Sequence, residues 1–298
     1  MTDPTTTPTP VRQDRLAADT AMGPVTLEVA DLAGMTAFYR DAVTLQVLAE
    51  DGDVVTMGRG STPIVVLRHR PQLRHAAPGS AGLFHTAILF PTQTALAAAV
   101  ASMAKARAPY TGSADHLVSK AFYFDDPEGN GVELYTDRPR DTWATEPHGL
   151  LKVATNPLDP NAFLREHLTP EGLERPDAGA AVVGHVHLSV GDVGTARDFY
   201  VDTLGFDTTL EWGGAALFVS AGGYHHHMAM NVWNSRGAGR RFPTLGLGQV
   251  DIELPSPDDV GALTERMRHH GVRSADDGRT VTFEDPWANR LHVRVAGA

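Results

Sequence analysis

The chain has 298 residues, 42% of them hydrophobic and 20% charged, and no apolar run approaches the roughly 18 residues of a spanning helix, so a helical membrane protein is excluded. Its formal net charge of −11 repels phosphate backbones and anionic lipid, so neither nucleic acid nor a membrane is an expected partner. The absence of cysteine removes disulfides, thiolate nucleophiles and thiolate metal sites, leaving the 14 His residues with Asp and Glu as the only candidate metal ligands.

In chain order, residues 1–20 lack the basic start and apolar stretch of a signal peptide and read as a flexible Thr/Pro tail, with the cytoplasm as the expected compartment. An apolar strand around Leu27 and Val29 leads through Asp31 into a helix marked by Leu32, Met35, Tyr39 and Val43, and a β-rich run follows at 62–67. A second strand at 83–89 precedes a helix marked by Leu96, Val100 and Met103, then β-rich residues at 121–124. The Pro-rich stretch 138–181 shows neither period and reads as a connector with one short helix near 161–168. After it, strands at 184–190 and near Gln249 each lead into a helix, marked by Val193, Ala196, Tyr200 and Leu204 and then by Val260, Leu263 and Met267. β-rich runs follow these helices at 216–220 and 280–283.

The chain repeats itself. Leu27-Glu28-Val29-Ala30-Asp31 with Phe38-Tyr39-Arg40-Asp41 recurs 161 residues later as Leu188-Ser189-Val190-Gly191-Asp192 with Phe199-Tyr200-Val201-Asp202. Asp126-Pro127-Glu128-Gly129-Asn130 recurs 159 residues later as Asp285-Pro286-Trp287-Ala288-Asn289. Each half divides again, so the chain reads as four β-α-β-β-β modules in an α+β fold.

These modules, the Asp-to-Phe-Tyr spacing and the strand ending Gly131-Val132-Glu133-Leu134 resemble the vicinal oxygen chelate superfamily, which includes glyoxalase I, bleomycin-resistance proteins and the extradiol (catechol 2,3-) dioxygenases. Within it, the runs around His85, His116, His185 and Tyr224-His225-His226-His227 are most similar to two-domain catechol 2,3-dioxygenase-like proteins. The resemblance implies two domains with half-open β-barrel cups, 21–137 and 182–298, each of two modules. It is specific for fold and weak for function.

It also implies metal ligands on the first and last strands of modules. Those positions hold Pro24, His85 and Glu133 in the first half and His185, Gln249 and His292 in the second. Proline cannot coordinate, so the usual pairing of modules one with two and three with four completes neither set. Modules two and three together give His85, Glu133 and His185, the two-His, one-carboxylate set of nonheme Fe(II) oxygenases. The resemblance further places Tyr123 and His116 beside the metal and a catalytic His on the strand holding His226 and His227, with His227 taken first. Pro24, and the lack of any His before Gly60, make the barrel of modules one and four a structural half.

Plainer roles stand beside these. His85 could be a satisfied core His, Glu133 an outward solvated carboxylate, His187 a packing residue, the triple His a turn after Gly222-Gly223, and His116 a turn cap. His69, His75, His148, His167, His269 and His270 carry no motif and read as solvated, and the two Phe-Tyr pairs as packing. The implied activity is Fe(II)-dependent ring cleavage of a small catechol-like aromatic by dioxygen, with Mn, Zn or Ni as alternative metals. The rivals are a glyoxalase-like isomerase or lyase holding a metal through His185, His227, Gln249 and His292, and a non-catalytic small-molecule binder. A homo-oligomer is left open.

Overall fold

The computed structural model describes residues 14–146 and 149–297. Module one comprises β1 Ala21–Val29, α1 Leu32–Asp41, β2 Gln46–Asp51, β3 Val54–Arg59 and β4 Thr62–His69. Module two comprises β5 Gly82–Leu89, α2 Gln93–Lys105, β6 Tyr110–Asp115, β7 Ser119–Asp125 and β8 Gly131–Asp137. The connector carries β9 Asn156–Pro157 and the helices α3 Pro160–His167 and α4 Pro170–Glu174. Module three runs β10 Val182–Ser189, α5 Val193–Arg197 with a π-helical continuation Asp198–Thr203, β11 Asp207–Trp212, β12 Ala216–Ser220 and β13 Met228–Asn231. Module four runs β14 Gly246–Leu254, α6 Pro257–His269, β15 Ser274–Asp276, β16 Thr280–Glu284 and β17 Arg290–Val295.

Each module helix starts where the sequence provides an oxygen to cap it. Asp31, Thr92, Asp192 and Ser256 accept from backbone N–H groups in the first turns of α1, α2, α5 and α6. Their apolar stripes, such as Leu96, Val100 and Met103, are buried in the core.

Strand pairing settles which modules share a cup. One sheet has the order β15-β16-β17-β14-β1-β4-β3-β2 and joins modules four and one. The other, β11-β12-β13-β10-β5-β8-β7-β6-β9, joins modules three and two and takes its last strand from the connector. Each sheet therefore draws on both halves of the repeat, with antiparallel β1·β14 and β10·β5 seams at the centres.

The repeated Asp-Pro-x-x-Asn turns lock one sheet to the other. Asp126 accepts from the backbone N–H groups of Glu128 and Asn130 at 2.9 and 2.8 Å and from the Tyr39 hydroxyl at 3.1 Å. In the second half Asp285 accepts from Trp287 and Asn289 N–H at 2.9 and 2.8 Å and from the Tyr200 hydroxyl at 2.9 Å. Both Tyr rings are buried, as packing residues would be, and each also carries a bond between modules. Glu128 adds a third tie by accepting from Ala30 and Asp31 N–H, both at 2.8 Å.

Residues 1–13 of the Thr/Pro segment lie outside the described residues. The part from 14 to 20 is held against module three: Leu16 is buried, its N–H donates to the Gly205 carbonyl at 2.8 Å, and Arg15 donates to the Val201 carbonyl at 2.8 Å.

Candidate active site

The site is a row across four strands of the second sheet. His185 on β10 stands opposite Ala87 on β5, Ala87 opposite Glu133 on β8, and Glu133 opposite Tyr123 on β7. Cross-strand partners share a face, and residues two apart on one strand do as well, so His85 and His187 join the same face. Alanine at the centre of the row leaves room between the larger polar groups.

The buried side chains of His85, Glu133 and His185 have ligand atoms within 4.8 Å of one another. Glu133 Oε2 lies 2.9 Å from His85 Nε2 and 3.1 Å from His185 Nε2. His185 makes a hydrogen bond to that oxygen, while His85 Nε2 is buried with no hydrogen-bond partner among the described residues. A buried imidazole nitrogen 2.9 Å from a carboxylate oxygen but outside hydrogen-bond geometry fits a cation shared by the three groups, and the donor set fits a divalent metal. Burial pushes the Glu133 carboxyl up, but the flanking imidazoles outweigh it and hold the group well below the usual carboxylate range. Burial lowers His185 to about 4, against the pull of Glu133, so its imidazole is neutral, as a ligand must be.

Tyr123 and His116 sit beside this set. The His116 Nδ1–H donates to the Ala154 carbonyl at 2.8 Å, which leaves Nε2 to accept the Tyr123 hydroxyl at 2.7 Å. Burial, and then the Glu133 charge, raise the Tyr123 hydroxyl well above its ordinary value.

The run 224–227 is a loop between β12 and β13 rather than strand. Gly222 and Gly223 turn the chain with φ of 60° and 68°, and a Cβ on Gly222 would meet the Ala18 carbonyl oxygen at 2.1 Å. Strand alternation therefore does not sort its side chains. His225 and His226 both line the cavity, and the His226 ring lies 4.0 Å from that of His185. The structure does not bring His227 there: its Nδ1 accepts from Ala221 N–H at 3.2 Å and its ring stacks on Phe206.

Asp137 and His225 fix the proton on His226. Asp137 Oδ1 accepts from His225 Nε2–H at 2.9 Å, and in the tautomer that carries its one proton there His225 offers Nδ1 as an acceptor to His226 Nδ1–H at 2.8 Å. Nε2 of His226 then carries the lone pair. Burial first, and then His185 and His225, hold His226 well below its ordinary value.

The cavity around these residues measures about 570 Å³. Phe84, Trp212, Phe218 and Trp233 wall one side, and Val153 and Thr155 of the connector close another. Asp137, Phe84 and Trp233 were not singled out in the sequence. Asp137 could have been: it follows Glu133 by two strand periods and so shares its face.

The positions of the isomerase set are divided between sheets. Gln249 on β14 and His292 on β17 lie in the first sheet, where Asp251 takes both, from Gln249 Nε2 at 2.7 Å and beside His292 Nδ1 at 3.1 Å. Pro24 is buried on β1 of that sheet. Of the His residues without a motif, His75, His269 and His270 are exposed, His69 and His167 are half-buried, and His148 lies outside the described residues.

Residues 21–134 and 182–293 each match the family described as the Glyoxalase/Bleomycin resistance protein/Dioxygenase superfamily. The chain belongs to this superfamily. It is 34% identical over 273 residues to a protein named catechol-2,3-dioxygenase from Bacillus subtilis (strain 168), covering 90% of this chain and 94% of that protein. Two solved structures share the superfamily fold at low identity. Glyoxalase I from Zea mays superposes with a TM-score of 0.57 at 15% identity over 93% of this chain and 92% of its own. The cppA protein from Streptococcus pneumoniae TIGR4 gives 0.59 at 11% identity over 95% and 100%.

Proposed function

We propose that the chain is an Fe(II)-dependent extradiol dioxygenase of a catechol-like aromatic. The observation that carries this reading is Glu133 Oε2 set between two imidazole nitrogens, one of them buried and without a hydrogen bond. The name of the Bacillus subtilis relative supports it. His85, Glu133 and His185 would hold the iron. When bound, Fe(II) supplies positions for both hydroxyls of a catechol and couples the oxidation of its ring to the reduction of dioxygen.

The protein's own groups handle protons and orientation. His226, with its lone pair on Nε2 and its ring against His185, takes a hydroxyl proton as the catechol docks and returns one to the opening product. His225 and Asp137 keep that lone pair in place. Tyr123, hydrogen-bonded to His116, holds the far side of Glu133. Phe84, Phe218 and Trp233 exclude water from the ring's surroundings.

Anaerobically purified protein loaded with Fe(II) and given a panel of catechols in air tests this reading. It expects oxygen uptake matched by a yellow ring-opened product. No cleavage of any catechol with Fe(II) or Mn(II) would refute it, in favour of an isomerase if zinc or nickel is bound, or of a binder if no metal is.

A further inference from the structure

We infer that the substrate is a catechol bearing an uncharged, apolar substituent, and that ring-carboxylated catechols are rejected; this rests on the dioxygenase reading above. Among the described residues, no Lys or Arg lines the cavity, while Glu133 and Asp125 both do. With Glu133 committed to the iron, the acidic group left on the lining is Asp125, and a substrate carboxylate would be desolvated with no guanidinium or ammonium to pair with it.

The wall next to the proposed metal ligands is aromatic and continuous. The Phe84 ring lies 5.4 Å from His85 and 5.3 Å from Trp233, Trp233 lies 5.3 Å from His187, His187 lies 5.8 Å from Phe218, and Phe218 lies 5.4 Å from Trp212. A planar or alkyl group attached to a ring seated by His85 meets this surface. The volume of about 570 Å³ is that of a site for drug-sized ligands and far exceeds a bare dihydroxybenzene. Trp233, 46% exposed, carries this aromatic wall out to the protein surface.

The test compares kcat/KM of the iron-loaded full chain for catechol, butylcatechol, phenylcatechol and dihydroxybenzoate. Anaerobic affinities for the same compounds are measured in parallel by quenching of tryptophan fluorescence. Phenyl- and butylcatechol are expected to exceed dihydroxybenzoate at least about 100-fold and catechol about tenfold, and Phe218→Ala and Trp233→Ala to shrink the advantage over catechol about tenfold. Dihydroxybenzoate equal to or better than the apolar catechols, or an advantage unmoved in both variants, would overturn the inference. If nothing is cleaved but the affinities keep the expected order, the dioxygenase reading falls and the ligand class stands; affinities without that order overturn the class.

Discussion

The Tyr39 hydroxyl on α1 donates to Asp126 at the end of β7, 3.1 Å away, and so ties module one of the first sheet to module two of the second. The Tyr200 hydroxyl makes the same bond to Asp285 at 2.9 Å in the other direction. The two sheets are built from different strands, so these buried bonds help to hold one sheet against the other. Tyr39→Phe and Tyr200→Phe should each lower unfolding free energy by about 1–3 kcal/mol in urea titrations, because each leaves a buried carboxylate short of a donor. The bonds lie in separate halves of the chain, so the double variant should lose about the sum. Losses below a few tenths of a kcal/mol would show that the Tyr rings only pack.

The location of His226 and His227 makes opposite demands on two neighbouring variants. His226→Phe should slow ring opening by about 10²–10⁴-fold with little change in anaerobic metal content, whereas His227→Phe should change turnover by less than tenfold. Stopped-flow formation of the yellow product reads both. A slow His227→Phe beside a fast His226→Phe would reverse the assignment.

Asp137 acts on His226 only through His225, at 2.9 and 2.8 Å along the chain of bonds. Asp137→Asn should therefore lower kcat by about tenfold to 100-fold, leave KM near its original value, and displace the pH profile of kcat. An unmoved profile with lower thermal stability would make the contact structural. Asp137→Glu should recover part of the rate.

Acid should weaken the metal-free protein through its buried histidines. Burial lowers His227 to about 3 from an ordinary value of about 6.5. Between those values the unfolded chain binds a proton there and the folded chain does not, so stability falls as pH drops through about 6.5 toward 3, by up to about 1.4 kcal/mol per pH unit. His185, lowered to about 4, acts in the same direction. His227→Gln should flatten the stability curve between pH 6.5 and 4.5 by close to one proton in chelator-treated samples. Parallel curves would contradict this.

The fold was legible because four elements of information agree in each module: a capping Asp, Thr or Ser, an apolar period of three to four, short alternating strands, and a Gly- or Asn-bearing turn. The connector holds two short helices, α3 Pro160–His167 and α4 Pro170–Glu174, where the sequence suggests only the first. Module pairing was legible only through Pro24, since a proline at a ligand position breaks one combination and leaves another complete. His226 and His227 were not separable, because two glycines at positive φ replace a strand by a loop and cancel the alternation on which any choice would rest. Strand period puts Asp137 on the face of Glu133, but its partner His225 in the loop of module three is set only by the fold. The aromatic wall combines Phe84 of module two with Trp212, Phe218 and Trp233 of module three, residues that no local period groups together.

Iron anomalous scattering from crystals of the anaerobically Fe(II)-loaded protein tests the central claim most directly. The account predicts one strong peak per chain within bonding distance of His85 Nε2, His185 Nε2 and a Glu133 carboxylate oxygen, lost in His85→Ala, Glu133→Ala and His185→Ala and kept in Gln249→Ala and His292→Ala. A peak beside Gln249 and His292, or one held by His185, His225 and His226 with Glu133 unligated, would contradict it.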